Sequence, residues 1–359
     1  MTFQNWLKER SDREVYEKEF ALLVESAEPL GYDSIWFTEH HFTGYTMCVD
    51  PIQLLTYVAG RTKRIKLGTA VVVLPWHDPV RVTEQIVVLD NLSGGRVLLG
   101  LGRGAGKVEY DLYRIDMNQA RERFIETTEI VLQGLEKGYC QYKGAIFNQP
   151  RAELRPAPNR SFRDRTYVAG VSPETIGVMH RLGVGMLIVP QKPWVQTAQE
   201  ISTYKDAFVK HNGFPPPAPI ATGWVFCDEN ADRAHELAMR YIGSYFDSVL
   251  EHYHYDTDAL KGVKGYEYYT AWGDAMKGDG KKTMVEFFVN LHVWGTPEMC
   301  YEKILTIRQN IGADTFVGTF SYGYMPWELV ARNFELFTKK VKPELQRLPR
   351  TEGWAADSA

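Results

Sequence analysis

The chain has 359 residues, 44% hydrophobic and 24% charged, with 41 basic against 45 acidic side chains and a formal charge of −4. This is ordinary globular composition, long enough to bury a large core, and it leaves no electrostatic footprint for nucleic acid. No apolar run approaches the roughly 18 residues of a membrane helix, and the opening MTFQNWLKERSDREVYEKEF lacks the apolar core of a signal peptide. The cysteines (Cys48, Cys140, Cys227, Cys300) are scattered, with no CxxC, and no HExxH occurs, so neither a disulfide framework nor a zinc motif is expected. A soluble cytoplasmic protein is the expectation.

In chain order, residues 13–30 carry helical spacing, with Phe20, Leu23 and Ala27 on one face. GYDSIWF then gives a glycine stop and a short strand ending near Phe37. Pro51 opens a helix that runs through Ala59. IKLGTAVVVLP (65–75) is an unbroken apolar run and predicts one strand buried on both faces. A helix over 80–92, a strand over 96–102 and a long helix over 117–137, capped by Asp116, follow. Residues 138–165 predict a hairpin and an arginine- and proline-rich loop. Strands are predicted at 166–170, 185–190, 220–227 and 314–320. Helices are predicted at 172–182, 194–210, 231–252, 297–310 and 327–342. Residues 253–290 are aromatic and lack clean periodicity, which suits an active-site lid.

Strands alternating with helices predict a parallel sheet with right-handed crossovers. Seven or eight such units fit a (β/α)8 TIM barrel, an α/β fold, better than a doubly wound sheet. No linker appears, so residues 1–345 read as one barrel domain and 346–359 as a tail. On a barrel, chemistry gathers where strands end. Those ends carry Glu39-His40-His41, Pro75-Trp76-His77-Asp78, Gly102-Arg103-Gly104, Gly170 to Thr175, and Ser321-Tyr322.

Alternation along an extended chain sends His40 and His41 to opposite sides, so at most one of them faces a shared site. A histidine there suits acid–base work, and one merely satisfied by hydrogen bonds at a barrel end fits the pattern as well. GLGRGAG (100–106) lets a ligand approach the backbone beside one arginine, yet with the next helix starting only near residue 117 it matches a dinucleotide fingerprint weakly. VSPETI (171–176) is a helix start, with Ser172 as N-cap and Pro173 at the first position. Anion binding and simple capping explain it equally. Glu251, His252, His254 and Asp256 have a poor metal spacing, and a solvated helix end is the better reading. The basic loop of Arg151, Arg155, Arg160, Arg163 and Arg165 reads as solvated.

IWFTEHHF, IKLGTAVVVLPWHDPVR, LDNLSGGRVLLGLGRG, IDMNQARERF and VWGTPEMC, in this order and spacing, resemble the bacterial luciferase-like flavin-dependent monooxygenases over about residues 29–345. The resemblance implies a (β/α)8 barrel that binds reduced FMN and reacts it with O2 to a C4a-peroxyflavin, oxygenating a hydrophobic, carbonyl-type substrate. It also implies a separate flavin reductase and a homodimer.

Residue by residue, it implies His40 as the catalytic group, with Glu39 beside it. Ala70-Val71 falls at the family's non-prolyl cis peptide under the flavin ring. Arg103 and Arg121 match flavin-side arginines, Arg103 the one that reaches the phosphate. Gly170, Val171, Ser172 and Thr175 match the segment supplying the other phosphate contacts. Trp76 and Trp272 fall at the substrate and lid side, and 273–290 at the mobile loop. No metal is implied. Gly102 stands where the luciferase catalytic subunit has a reactive cysteine, and Gly170-Val171 replace its acidic and hydroxyl phosphate ligands. MTFQNW is only the remnant of a first strand, so that strand is expected to be shortened. Two alternatives remain: a deazaflavin (F420)-dependent hydride-transfer enzyme, and a non-catalytic subunit like the luciferase β chain. Arg103 and residues 253–290 argue against the second.

Overall fold

The computed structural model describes residues 1–170, 179–270 and 280–350. Short apolar runs form the predicted strands: β1 Ser34–Phe37, β2 Lys66–Thr69, β3 Val72–Val73, β4 Val97–Gly102, β5 Tyr139–Lys143, β6 Asn148–Glu153, β7 Thr166–Ala169, β8 Gly185–Ile188, β9 Ile220–Cys227, β10 Val293–Gly295 and β11 Thr315–Thr319. β5 and β6 make the expected antiparallel hairpin. The others form one curled sheet in the order β1-β2-β4-β7-β8-β9-β10, with β11 also on β9 and β3 on β4. Every pairing within it is parallel. Helices pack outside it, and several start by the same local rule. Asp50, Asp78 and Thr296 each accept a hydrogen bond from a first-turn amide, with proline at the first helical position.

Trp36, Leu187 and Ile220 fill the inside of the sheet, with Ala70, Leu98, Tyr167 and Val317 packed on them. The Trp36 ring fits because Gly68 has no side chain: a Cβ there would lie 2.2 Å from the indole. Between β1 and the end of β11 runs the N-terminal segment rather than a regular strand. The Met1 amine donates to the Trp36 carbonyl at 2.7 Å, the Thr2 hydroxyl to the Ser321 carbonyl at 2.9 Å, and the Gly323 amide to the Gln4 side chain at 2.6 Å.

Four sequence expectations need correction. Residues 65–75 are not one strand. The run breaks at a cis Ala70–Val71 bond into β2 and β3, then closes in a 3-10 turn at Leu74–Trp76. A helix at Lys107–Tyr113 directly follows GLGRGAG, well before residue 117. Its N-cap is Gly106, which offers no side-chain cap, so the usual start signal is missing. Within 253–290, residues Gly280–Asn290 are helical. Arg165 is not solvated: it is 2% exposed and pairs through both terminal nitrogens with the fully buried Asp90 at 2.5 and 2.9 Å. Among the described residues no helix is long and apolar enough to cross a membrane.

Candidate active site

The strand ends gather two carboxylate–histidine systems. β1 delivers Glu39-His40-His41, and the two histidines go to different carboxylates. His41 Nε2 lies 3.2 Å from Glu39 Oε1, while His40 Nδ1 lies 3.1 Å from Glu109 Oε1. Glu109 sits on the helix Lys107–Tyr113, four residues before Tyr113, whose hydroxyl reaches His41 Nδ1 at 2.9 Å. One short helix therefore supplies a partner to each histidine, as an i, i+4 pair must when both side chains share a face.

Glu39 is wholly buried. Its Oε1 is 2.7 Å from His77 Nε2, and its Oε2 accepts from the Val73 amide at 2.7 Å, holding the backbone just past the cis bond. Burial opposes its ionisation, but the hydrogen bonds from His41, His77 and the Val73 amide together outweigh it, and the carboxyl lies below its ordinary range. His77 is lowered by burial and raised more by Glu39, ending above its usual value. The two form an ion pair whenever His77 is protonated. Glu39 is thus placed to orient its neighbours, His41, His77 and the Val73 amide.

Glu109 is also fully buried. Burial raises its pKa, but the imidazoles of His40 and His252 lower it further, to about 2. An ionised carboxylate only accepts, so His40 Nδ1 carries the proton of that bond. His40 Nε2 then faces the Tyr253 hydroxyl at 3.3 Å. Glu109 Oε1 also accepts from the His41 amide at 2.8 Å. Tyr45 packs edge-on to His40 and stacks on His252 at 4.7 Å.

Arg103 follows β4 and lies beside the same helix, since the Tyr110 hydroxyl donates to the Arg103 carbonyl. Its guanidinium donates to the Gly265 carbonyl at 2.8 Å and lies 4.1 Å over the Tyr266 ring. Arg121 joins it: a Cβ built on Gly265 would stand 2.8 Å from Arg121 Nη2 and 3.0 Å from Arg103 Nη1. Two guanidiniums converging on one point are a suitable cradle for a phosphate. Tyrosines 253, 255, 269 and 266 form a run of rings from His40 to Arg103, with centroid spacings of 4.9, 4.6 and 6.3 Å.

Of the other residues singled out in the sequence, Ala70 and Val71 are half-buried at the cis bond, and Trp76 lies edge-on to His41 at 5.3 Å with its indole nitrogen buried and without a hydrogen bond among the described residues. Gly170 borders a small cavity with Gln191, Lys192 and Glu200, and Tyr268 reaches the Gln191 carbonyl at 3.1 Å. No described contact joins Gly170 to Arg103. Ser321 belongs elsewhere, donating to the buried Glu19. Val171, Ser172, Thr175 and Trp272 lie outside the described residues. Sequence reasoning missed Glu109, Tyr113 and Tyr253 as site residues and discounted His252. The i, i+4 spacing of Glu109 and Tyr113 was the available signal.

Residues 2–315 match the luciferase-like monooxygenase family model. The chain belongs to that family. Within it, the chain is similar to the alkanal monooxygenase alpha chain of the Kryptophanaron alfredi symbiont, 24% identical over 96% of this chain and 99% of the relative. Among solved structures it resembles a monooxygenase from Streptomyces bottropensis (TM-score 0.79, 24% identity, 96% and 97% of the two chains). It also resembles the oxygenating constituent of the Pseudomonas putida 3,6-diketocamphane monooxygenase, solved with FMN (0.69, 20%, 95% and 96%). The F420-dependent tetrahydromethanopterin reductase of Methanopyrus kandleri shares the fold as well (0.63, 18%, 91% and 95%). These likenesses make the fold of this luciferase-like chain that of the TIM-barrel monooxygenases.

Proposed function

We propose that this chain is a monooxygenase that uses reduced FMN and O2, with oxygen activated at flavin carbon C4a, to oxygenate a hydrophobic organic substrate of the carbonyl class. The observation that carries the reading is that one short helix, Lys107–Tyr113, ties both groups together: its Glu109 bonds His40 after β1, and its Tyr110 bonds the carbonyl of Arg103 after β4, beside Arg121. The guanidinium pair suits the phosphate of FMN, and the half-buried Ala70 and Val71 offer an apolar floor for its ring. Bound reduced flavin would supply the electrons for oxygen activation. Arg103 and Arg121 would hold its phosphate. The tyrosine run would keep water from the reacting atoms. His40, fixed through Nδ1 by Glu109, would hold or move a proton at Nε2. Relatives named for alkanals and a diketone support a carbonyl substrate. Supply of reduced FMN by a separate reductase and a cytoplasmic homodimer belong to the same proposal.

The test is anaerobic mixing with reduced FMN followed by O2 in a stopped-flow spectrometer. The expected result is a long-lived spectrum that is neither reduced nor oxidised flavin, decaying faster with a carbonyl substrate. His40→Ala is expected to keep FMN bound while product formation falls by the roughly 10²–10⁴-fold that a positioned acid–base group contributes. Unchanged product formation would remove His40 from the chemistry. Failure to bind FMN together with tight F420 binding would move the chain to F420-dependent hydride transfer.

A further inference from the structure

Beside His40 lies a second buried histidine that the proposed flavin chemistry does not use. His252 comes from the end of the helix Ala231–Tyr253 and is 2% exposed. Its Nε2 meets Glu109 Oε2 at 3.5 Å, an ion-pair distance, and neither atom makes a well-formed hydrogen bond among the described residues. That contact is too long for a good hydrogen bond, and a separation of this size is one that two ligand atoms of a single small cation can span. Room is kept by Gly106, where a Cβ would lie 2.1 Å from Glu109 Oε2 and 3.2 Å from His252 Nε2. His40 Nδ1 completes the group, and one ligand atom from each residue lies within 4.8 Å of the other two.

We propose that His40, Glu109 and His252 form a three-ligand site for a divalent transition metal of the zinc class. Two imidazoles and one carboxylate are donors such an ion takes, and three protein ligands leave a fourth position for water. The outer nitrogens are already buttressed as metal-bound imidazoles are: His252 Nδ1 meets the Thr43 hydroxyl at 2.7 Å, and His40 Nε2 meets the Tyr253 hydroxyl at 3.3 Å. On binding, the His40 proton moves from Nδ1 to Nε2, where the Tyr253 oxygen accepts it, and His252 carries its proton at Nδ1 toward Thr43. Both inner nitrogens then offer lone pairs to the ion. The residues come from three distant stretches of chain, which is why local spacing around His252 gave no metal motif. The site needs no flavin. If the flavin reading also holds, the ion takes His40 out of proton transfer, and zinc inhibits oxygenation.

The test is Co²⁺ titration of the full-length, chelator-stripped protein without flavin, read by visible absorption. One equivalent with the intense spectrum of a four-coordinate nitrogen/oxygen site, displaced by Zn²⁺, is expected. His252→Ala and Glu109→Gln should weaken binding by about 100-fold or more. Thr43→Val, which removes only an outer partner, should cost ~10–100-fold. The exposed His254→Ala should bind as the wild type does. A wild-type protein that gives only the weak spectrum of hydrated Co²⁺ overturns the site, whatever the variants do. So does tight binding that survives both His252→Ala and Thr43→Val. Because no flavin is present, neither outcome bears on the monooxygenase proposal.

Discussion

At Gly102, where the family resemblance implies a cysteine in the luciferase catalytic subunit, a neighbour gives the reason a side chain is excluded. A Cβ on Gly102 would lie 2.3 Å from Val71 Cγ2, and the stiff branched valine cannot swing away. Gly102→Ala is expected to destabilise the chain by about 1–3 kcal/mol, the usual range for overpacking, read as a lowered thermal midpoint. An unchanged midpoint would mean that the break between β2 and β3, where Val71 sits, yields freely. The glycine itself was visible in the sequence; its contact was not, because Val71 reaches it only through the break after β2. His40, Arg103 and Arg121 stand out as candidates in the sequence because they sit in recognisable runs. Glu109 and His252 do not, since each gains meaning only from a partner tens or hundreds of residues away.

At the scale of elements, the strands and most helices follow directly from apolar runs and proline or aspartate starts. The helix Lys107–Tyr113 escaped because it is short and begins at an uncapped glycine, although it carries Glu109. Arg165 escaped for the opposite reason, its arginine-rich surroundings looking solvated. In the fold it ties the helix Pro79–Ser93 to the approach to β7, bonding Asp90 and also the carbonyls of Val97 and Arg160. Removing one partner of such a pair strands the other charge in the interior. Asp90→Asn should therefore cost about 3–5 kcal/mol, measured by denaturant unfolding. A loss below about 1 kcal/mol would mean that water reaches Arg165 there.

Across the whole molecule, buried carboxylates pull the pH dependence of stability in opposite directions. Glu109 and Glu39 lie below their ordinary value in the fold, so the stability they contribute is complete above that value and is lost as pH falls, for Glu109 toward about 2. Glu19 behaves the other way. Burial raises it to about 7 even though the chain's terminal amine, Ser321 and the Phe3 amide favour its charge. Between pH 4.5 and 7 the folded chain then holds a proton that the unfolded chain has lost, and stability falls across that window. Glu19→Gln should match the wild type near pH 4.5 and exceed it above pH 7 by up to about 3 kcal/mol. A gap that does not widen with pH would show that Glu19 titrates normally. Barrel alternation was plain in the sequence, but the bridge from Met1 to Gln4 across the β1–β11 gap was not. It rests on side chains and a terminal amine rather than on a strand pattern.

Gly265 meets both arginines through bare backbone, at φ +83°, where any side chain would be strained and would press on the two guanidinium ends. The stretch that covers the proposed phosphate cradle is therefore latched by the one residue type with nothing to mutate away. A single-base change there would strain the cover and push on both guanidiniums at once, so a residue with no reactive group of its own can still disturb the cradle.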